Sequence, residues 1–319
     1  MNTQFRAAPS AAPPTPATAA SGAALPTSIP EYLAQLRQSL AGADPAMLQD
    51  ALYDAEEYLR SELAEHPGKS EADVISAVAS NYGAPDEVAD IYRDTEVKVQ
   101  TALRAPRPPR RASTIGRFFG VAADPRTYGA LFYMLLSLAT GIFYFTWTVT
   151  GASLSLGLLV LIVGVPLLLL FLASVRVLSL VEGRLVETLL DVRMPRRPLY
   201  ADRDKPWRAR IADLFTDLRT WSTMLYQLLM LPLGIVYFTL TVTLLSTSLA
   251  LIFAPVVSLF VDQTYVMQFN GVDYGEGNLW WIIPLTVAVG VLLLFGTLHL
   301  LRGLGKLHGQ LAKHMLVRI

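Results

Sequence analysis

The chain has 319 residues, with 26 Lys and Arg balancing 26 Asp and Glu, no cysteine, 53% apolar residues, 16% charged residues and a mean hydropathy of +0.41. Soluble domains carry roughly 25% charged residues, so this composition excludes an ordinary soluble protein. The missing cysteines exclude disulfides, thiolate chemistry and Cys-based zinc or iron–sulfur centres.

Residues 1–27 are rich in Ala, Pro, Ser and Thr and have no apolar core, so they read as a disordered tail and not a signal peptide. Residues 28–100 are charged and helical. Ser28 with Glu31 makes a capping box, Asp44 precedes Pro45 at a helix start, and Ser70 with Asp73 repeats the first arrangement. Gly83 closes one helix and Pro85 suits the first turn of the next. Leu33, Leu36 and Leu40, then Leu48, Leu52, Ala55, Leu59 and Leu63, form apolar stripes, which predicts a bundle of three or four short helices. Between Glu31 and Lys98 this domain holds 15 acidic residues against 5 Lys and Arg, a balance suited to docking on a basic partner. Residues 101–112 form a basic, proline-rich linker.

Residues 113–301 form the membrane domain. Uncharged apolar blocks at 129–175, 222–261 and 279–301 supply four spans: about 129–150, about 152–175, one starting near Ser222, and 279–301. The first two spans are expected to turn over at 151–153. The leftover piece 248–260 reads as re-entrant, interfacial, or a tilted continuation of the third span bent at Pro255. Every Lys and Arg lies at or before Arg126, between Arg176 and Arg219, or from Arg302 onward, and the 262–278 loop carries none. The positive-inside rule therefore places both termini and the middle segment in the cytoplasm. Residues 302–319 read as a basic amphipathic helix on the inner leaflet, with Leu304, Leu307, Leu311 and Met315 on its apolar stripe.

An offset of 93 lays 126–150 over 219–243 with fourteen of 25 positions identical, the Arg, Thr, Gly and Tyr positions included. This is an internal duplication, with repeats of about 117–175 and 210–261, parallel because both copies enter from the same side. Each is led in by an interfacial helix; in the second copy Trp207, Ile211, Leu214, Phe215 and Leu218 line one face. Arg126, Trp207 and Arg219 are the expected interfacial anchors. Gly141, Thr148, Gly234 and Thr241 put small residues on one stripe, as close helix packing requires. A ligand pocket built from these with Tyr144, Tyr237 and Gln227 is the alternative use of the same face.

No P-loop, dinucleotide fingerprint, HExxH or GxSxG motif occurs, and no cofactor, metal or direct nucleic-acid contact is expected. His66, His299, His308 and His314 read as surface or interfacial residues. The fold class is all-α: a small cytoplasmic bundle followed by a polytopic membrane domain with an internal parallel duplication.

The Tyr32-Leu33…Leu36…Leu40 run, the acidic second helix and the element Gly83-Ala-Pro85-Asp-Glu-Val88-Ala89 resemble the HAAS-type α-helical signalling domain. That resemblance implies a bacterial inner-membrane protein working with a PadR-like transcription regulator. The membrane half is similar to the sensor membrane domain found ahead of some histidine kinases, although only about 18 residues follow the last span. The expectation is a non-catalytic sensor whose head signals to a separate cytoplasmic regulator, with the bilayer as its other partner. A permease-type subunit of an export system is the alternative, and self-association stays open.

Overall fold

The computed structural model describes residues 25–81, 83–103, 113–161, 163–197, 215–258, 260, 267–269, 272–274 and 282–317. The expected tail up to residue 24, the linker at 104–112, Tyr82, and Trp207 with most of the second lead-in helix lie outside them.

The head consists of α1 (Ile29–Ser39), α2 (Pro45–Glu65), α3 (Glu71–Asn81) and α4 (Pro85–Leu103). Its caps follow the sequence. Ser28 Oγ accepts from the Glu31 amide at 3.4 Å, Asp44 from Ala46 at 2.9 Å, and Ser70 from Asp73 at 3.2 Å. The leucine stripes converge with Ile29, Tyr32, Ile75 and Val78 on one core. Gly83 turns the chain at φ +124°, a conformation that L side chains rarely adopt, and its carbonyl accepts from buried Tyr32 Oη at 3.0 Å. Pro85 opens α4, and Val88 and Ala89 are buried beneath it. The Gly83, Pro85, Val88 and Ala89 element is thus a turn followed by two core anchors.

After the short α5 (Thr114–Phe119) come α6 (Pro125–Gly157), α7 (Gly164–Leu190), α8 (Leu218–Ser258) and α9 (Ile282–Leu316). Each is long and apolar enough to cross a bilayer, so this is a multi-pass membrane protein. At about 1.5 Å per residue, α6 runs roughly 50 Å and α8 roughly 60 Å, well beyond a hydrocarbon core of about 30 Å. The helices therefore continue past the bilayer, which changes two sequence expectations and decides a third.

The turn expected at 151–153 lies inside α6, which runs on to Gly157 before α7 opens at Gly164. Gly151 is the small residue that lets α7 pack here, since an added Cβ would stand 2.3 Å from the Phe171 ring. Of the three alternatives for 248–260, the helix takes the continuation, running through Pro232 and Pro255 to Ser258. The segment from Arg302 is no separate surface helix, since α9 is unbroken to Leu316. Its buried face is Leu301, Gly305, His308, Ala312 and Leu316, whereas Leu307 of the expected apolar stripe is 65% exposed. The core at this level accepts small and polar side chains, which a search for leucines passes over. One small departure from all-α is the antiparallel hairpin of β1 (Met267–Phe269) and β2 (Val272–Tyr274) between α8 and α9, which carries Asp273.

Candidate functional site

The site begins where α6 crosses α8. A Cβ on Gly141 would stand 2.4 Å from Met230 O, and one on Gly234 would stand 2.3 Å from Ser137 O. Ser137 and Met230 are themselves 93 apart, so the contact is reciprocal, as across a twofold axis. Only glycine allows backbones this close. Thr148 Oγ1, buried, donates to Gln227 Oε1 at 2.7 Å, and Gln227 Nε2 donates to Val175 O at 3.4 Å. Thr241 Oγ1 is buried with no partner among the described residues. The reason lies in the offset: the position equivalent to Gln227 is Met134, whose side chain has no carbonyl to offer.

Toward the head, the close crossing delivers two tyrosine pairs, Tyr133 with Tyr226 and Tyr144 with Tyr237, each 93 apart, to one buried cluster. On one side stands Glu182 of α7, 1% exposed. Its Oε1 accepts from Tyr133 Oη at 2.5 Å and from Tyr226 Oη at 2.9 Å, and its Oε2 accepts from Tyr144 Oη at 3.0 Å. On the other side stands His308 of α9, also 1% exposed. Its Nε2 lies 2.6 Å from Tyr133 Oη and 3.0 Å from Tyr226 Oη, and its Nδ1 lies 3.4 Å from Tyr237 Oη. A phenol has one proton to donate. With Tyr133 and Tyr226 donating to Glu182, Nε2 must carry the imidazole hydrogen and Nδ1 accepts from Tyr237. Carboxyl, phenols and imidazole thus form one continuous proton-holding network.

Sequence reasoning placed Tyr144 and Tyr237 on the functional face but missed Glu182, His308, Tyr133 and Tyr226. It ended the second span at Val175, seven residues before Glu182, and read His308 as an interfacial residue. His308 is instead a core residue, because α9 continues into the bundle. The missing signal is a second offset. Laying α7 over α9 with a shift of 126 matches ten of 27 positions, including Arg176 with Arg302 and Gly183 with Gly309, and puts Glu182 on His308. The 93 offset fails past 155 because the link between α8 and α9 is longer than the turn between α6 and α7.

The ion pairs obey the same relation. Asp124 caps α6 through the Arg126 amide and binds Arg302 of the other hairpin at 2.9 Å; Asp217 accepts from the Arg219 amide and binds Arg176 at 3.1 Å. The expected anchors Arg126 and Arg219 are likewise engaged. Arg126 pairs with Asp191 at 2.8 Å, and Arg219 donates to Gln49 of the head at 2.8 Å.

Below the network, residues 193–197 clasp the head. Met194 is buried in the bundle core beside Gly183, and this turns Arg193 outward. Arg193 binds Asp50 at 2.8 Å, Glu96 at 2.7 Å and Glu187 of α7 at 3.2 Å. Burial works against its charge, but the surrounding carboxylates prevail and raise its pKa. Asp50 Oδ1 also accepts from the Arg196 and Arg197 amides, both at 2.7 Å, and Lys313 of α9 reaches Asp44 at 2.5 Å. Burial pushes the Asp50 carboxyl up, against the lowering pull of those amides and of Arg193. The acidic face of the head thus meets a basic segment of its own chain.

The stripe residues expected to line a ligand pocket go elsewhere: Tyr144 and Tyr237 into the network, Thr148 onto Gln227. An apolar groove of about 360 Å³ runs instead between α6 and α7, beside Phe143, Trp147, Leu154, Leu167 and Phe171, with Trp147 Nε1 donating to Ser174 Oγ at 2.9 Å. Among the described residues no group of three or more His, Asp or Glu is placed to hold a metal ion.

A family model described as "Putative sensor" matches residues 133–316, from the first tyrosine of the network to the end of α9. No curated protein and no solved structure matches the chain.

Proposed function

Because this chain belongs to the Sensor family, we propose that it is a non-catalytic bacterial inner-membrane sensor whose head, of the HAAS type, signals to a soluble cytoplasmic regulator. One observation carries the reading: α7 holds Glu182 in the buried network and Glu187 in the shell of Arg193, which grips the head. Five residues along a helix are about 7.5 Å of rigid rod, so any change that shifts or rotates α7 at Glu182 moves Glu187 with it. The stimulus is a change in the membrane or envelope felt by the bundle, and the output is the freedom of the head. A PadR-like transcription regulator is the partner that the resemblance of the head suggests. The two hairpins, on this reading, are parallel copies of one unit, which the crosswise contacts of Asp124 and Asp217 support.

The test is affinity capture from solubilised native membranes, comparing the full chain with one lacking residues 1–112. A soluble regulator recovered only when the head is present supports the reading. An ATPase or other membrane subunit recovered with both forms replaces it with the export-permease alternative.

A further inference from the structure

A cavity of about 850 Å³ opens where the head meets the ends of α6, α7 and α9. Arg126, Arg184, Arg193, Arg196 and Lys313 contribute to its wall. Among the described residues Asp44, Glu187 and Asp191 share the lining with them, while Asp50 and Glu96 hold Arg193 from the head. The guanidiniums crowd most at Glu187, which is shared by Arg184 at 3.2 Å, Arg193 at 3.2 Å and Arg196 at 3.1 Å. One carboxylate can satisfy one guanidinium fork in full. Arg184 and Arg196, with side chains 47% and 33% exposed, keep donor surface toward the cavity. Pro125, Leu189 and Val192 make the rest of this wall apolar. On its α6 side the cavity is lined by Pro125, Arg126 and Gly129, where the first apolar block begins and headgroups come within reach.

We propose that this cavity binds a phosphate-bearing anion, either the headgroup of an anionic phospholipid or a soluble phosphate, and that the anion competes with the head for Arg193 and Lys313. A phosphate presents three or more acceptor oxygens and suits a converging set of arginines better than a single carboxylate does. Two of the same cations hold the head, through Asp50 and Asp44. Occupation of the cavity therefore loosens the clasp. The proposal rests on the reading of the head as the output element.

The experiment uses the full chain in nanodiscs of phosphatidylcholine, with and without phosphatidylglycerol, and with inorganic phosphate added to the neutral discs. Native mass spectrometry and titration measure binding. A spin-label pair at Ser61→Cys and Lys306→Cys, easily introduced because the chain has no cysteine, measures the distance from head to bundle. Phosphatidylglycerol retention that falls about fivefold for each of Arg184→Gln and Arg196→Gln supports the site and names the lipid. The same arginine dependence for inorganic phosphate supports it with a soluble source. Glu187→Gln removes the competing carboxylate and should tighten binding, a gain that misfolding cannot imitate. Equal binding in all variants overturns the site. Arginine-dependent binding with an unchanged label distance upholds the site and overturns the relay to the head.

Discussion

Glu182 accepts three phenolic hydrogen bonds in a space closed to water, and the energetic weight of such a group lies in what its removal leaves behind. Glu182→Ala would strand Tyr133, Tyr144 and Tyr226 without their acceptor, at a cost of about 3 kcal/mol. Glu182→Gln keeps an acceptor in place and should lose less than half as much. Thermal unfolding of the purified protein in detergent distinguishes them, and equal losses would show that shape, and not the hydrogen bonds, holds the cluster. All four network tyrosines recur in a stretch written twice, but only Tyr144 and Tyr237, beside Gly141 and Gly234, were legible as part of a functional face. Glu182 and His308 were not, because they share no chemistry: a comparison by identity passes over an acid aligned with a base. Reading charge as a sign of solvent also put both outside the core, whereas a half-buried bundle end tolerates them once every polar atom has a partner.

At the scale of the helix, close packing was the legible feature. Small residues recurring at 141 and 234 are the places where α6 and α8 touch, and the caps predicted at Ser28, Asp44 and Ser70 form. The helix ends in the membrane half were less legible, since an apolar run marks where a bilayer is crossed and not where a helix stops. Met194 and the residues around it pack against the extensions of α7 and α9, which gives those extensions a reason to stay helical. Two predictions belong here. Gly141→Ala drives a methyl into Met230 O and should destabilise the bundle by about 1–3 kcal/mol, while Gly296→Ala, with nothing within 4 Å of its Cβ position, should be neutral or slightly stabilising. Asp124→Asn and Asp217→Asn each weaken an equivalent crosswise ion pair, so they should lower the unfolding temperature by similar amounts. A loss confined to one of the two would contradict the twofold relation.

For the whole molecule, the acidic balance of the head finds its complement inside the chain. Arg193→Ala leaves Asp50, Glu96 and Glu187 facing one another without their shared cation, and like charges at this distance repel. The distance distribution between labels at Ser61→Cys and Lys306→Cys should broaden and lengthen, while Arg37→Ala, on the exposed outer side of α1, should leave it unchanged. A variant head that stays docked would mean that Gln49 with Arg219 and Asp44 with Lys313 suffice to hold it. Composition separates a charged stretch from an apolar one, but the embrace between them was not readable from it. Charge complementarity says that an acidic surface wants a basic one, not which of several basic segments will reach it, and only the short tether from α7 through Met194 selects 193–197.

The tyrosine network has one further consequence. Two identical hairpins meeting on an axis would set an acid against an acid or an imidazole against an imidazole. Here the halves belong to a single polypeptide, so the two positions are free to differ, and the bundle holds a donor-poor pole at Glu182 and a nitrogen base at His308 across a pair of matched phenols. A nearly symmetric body thus has a direction across its own centre.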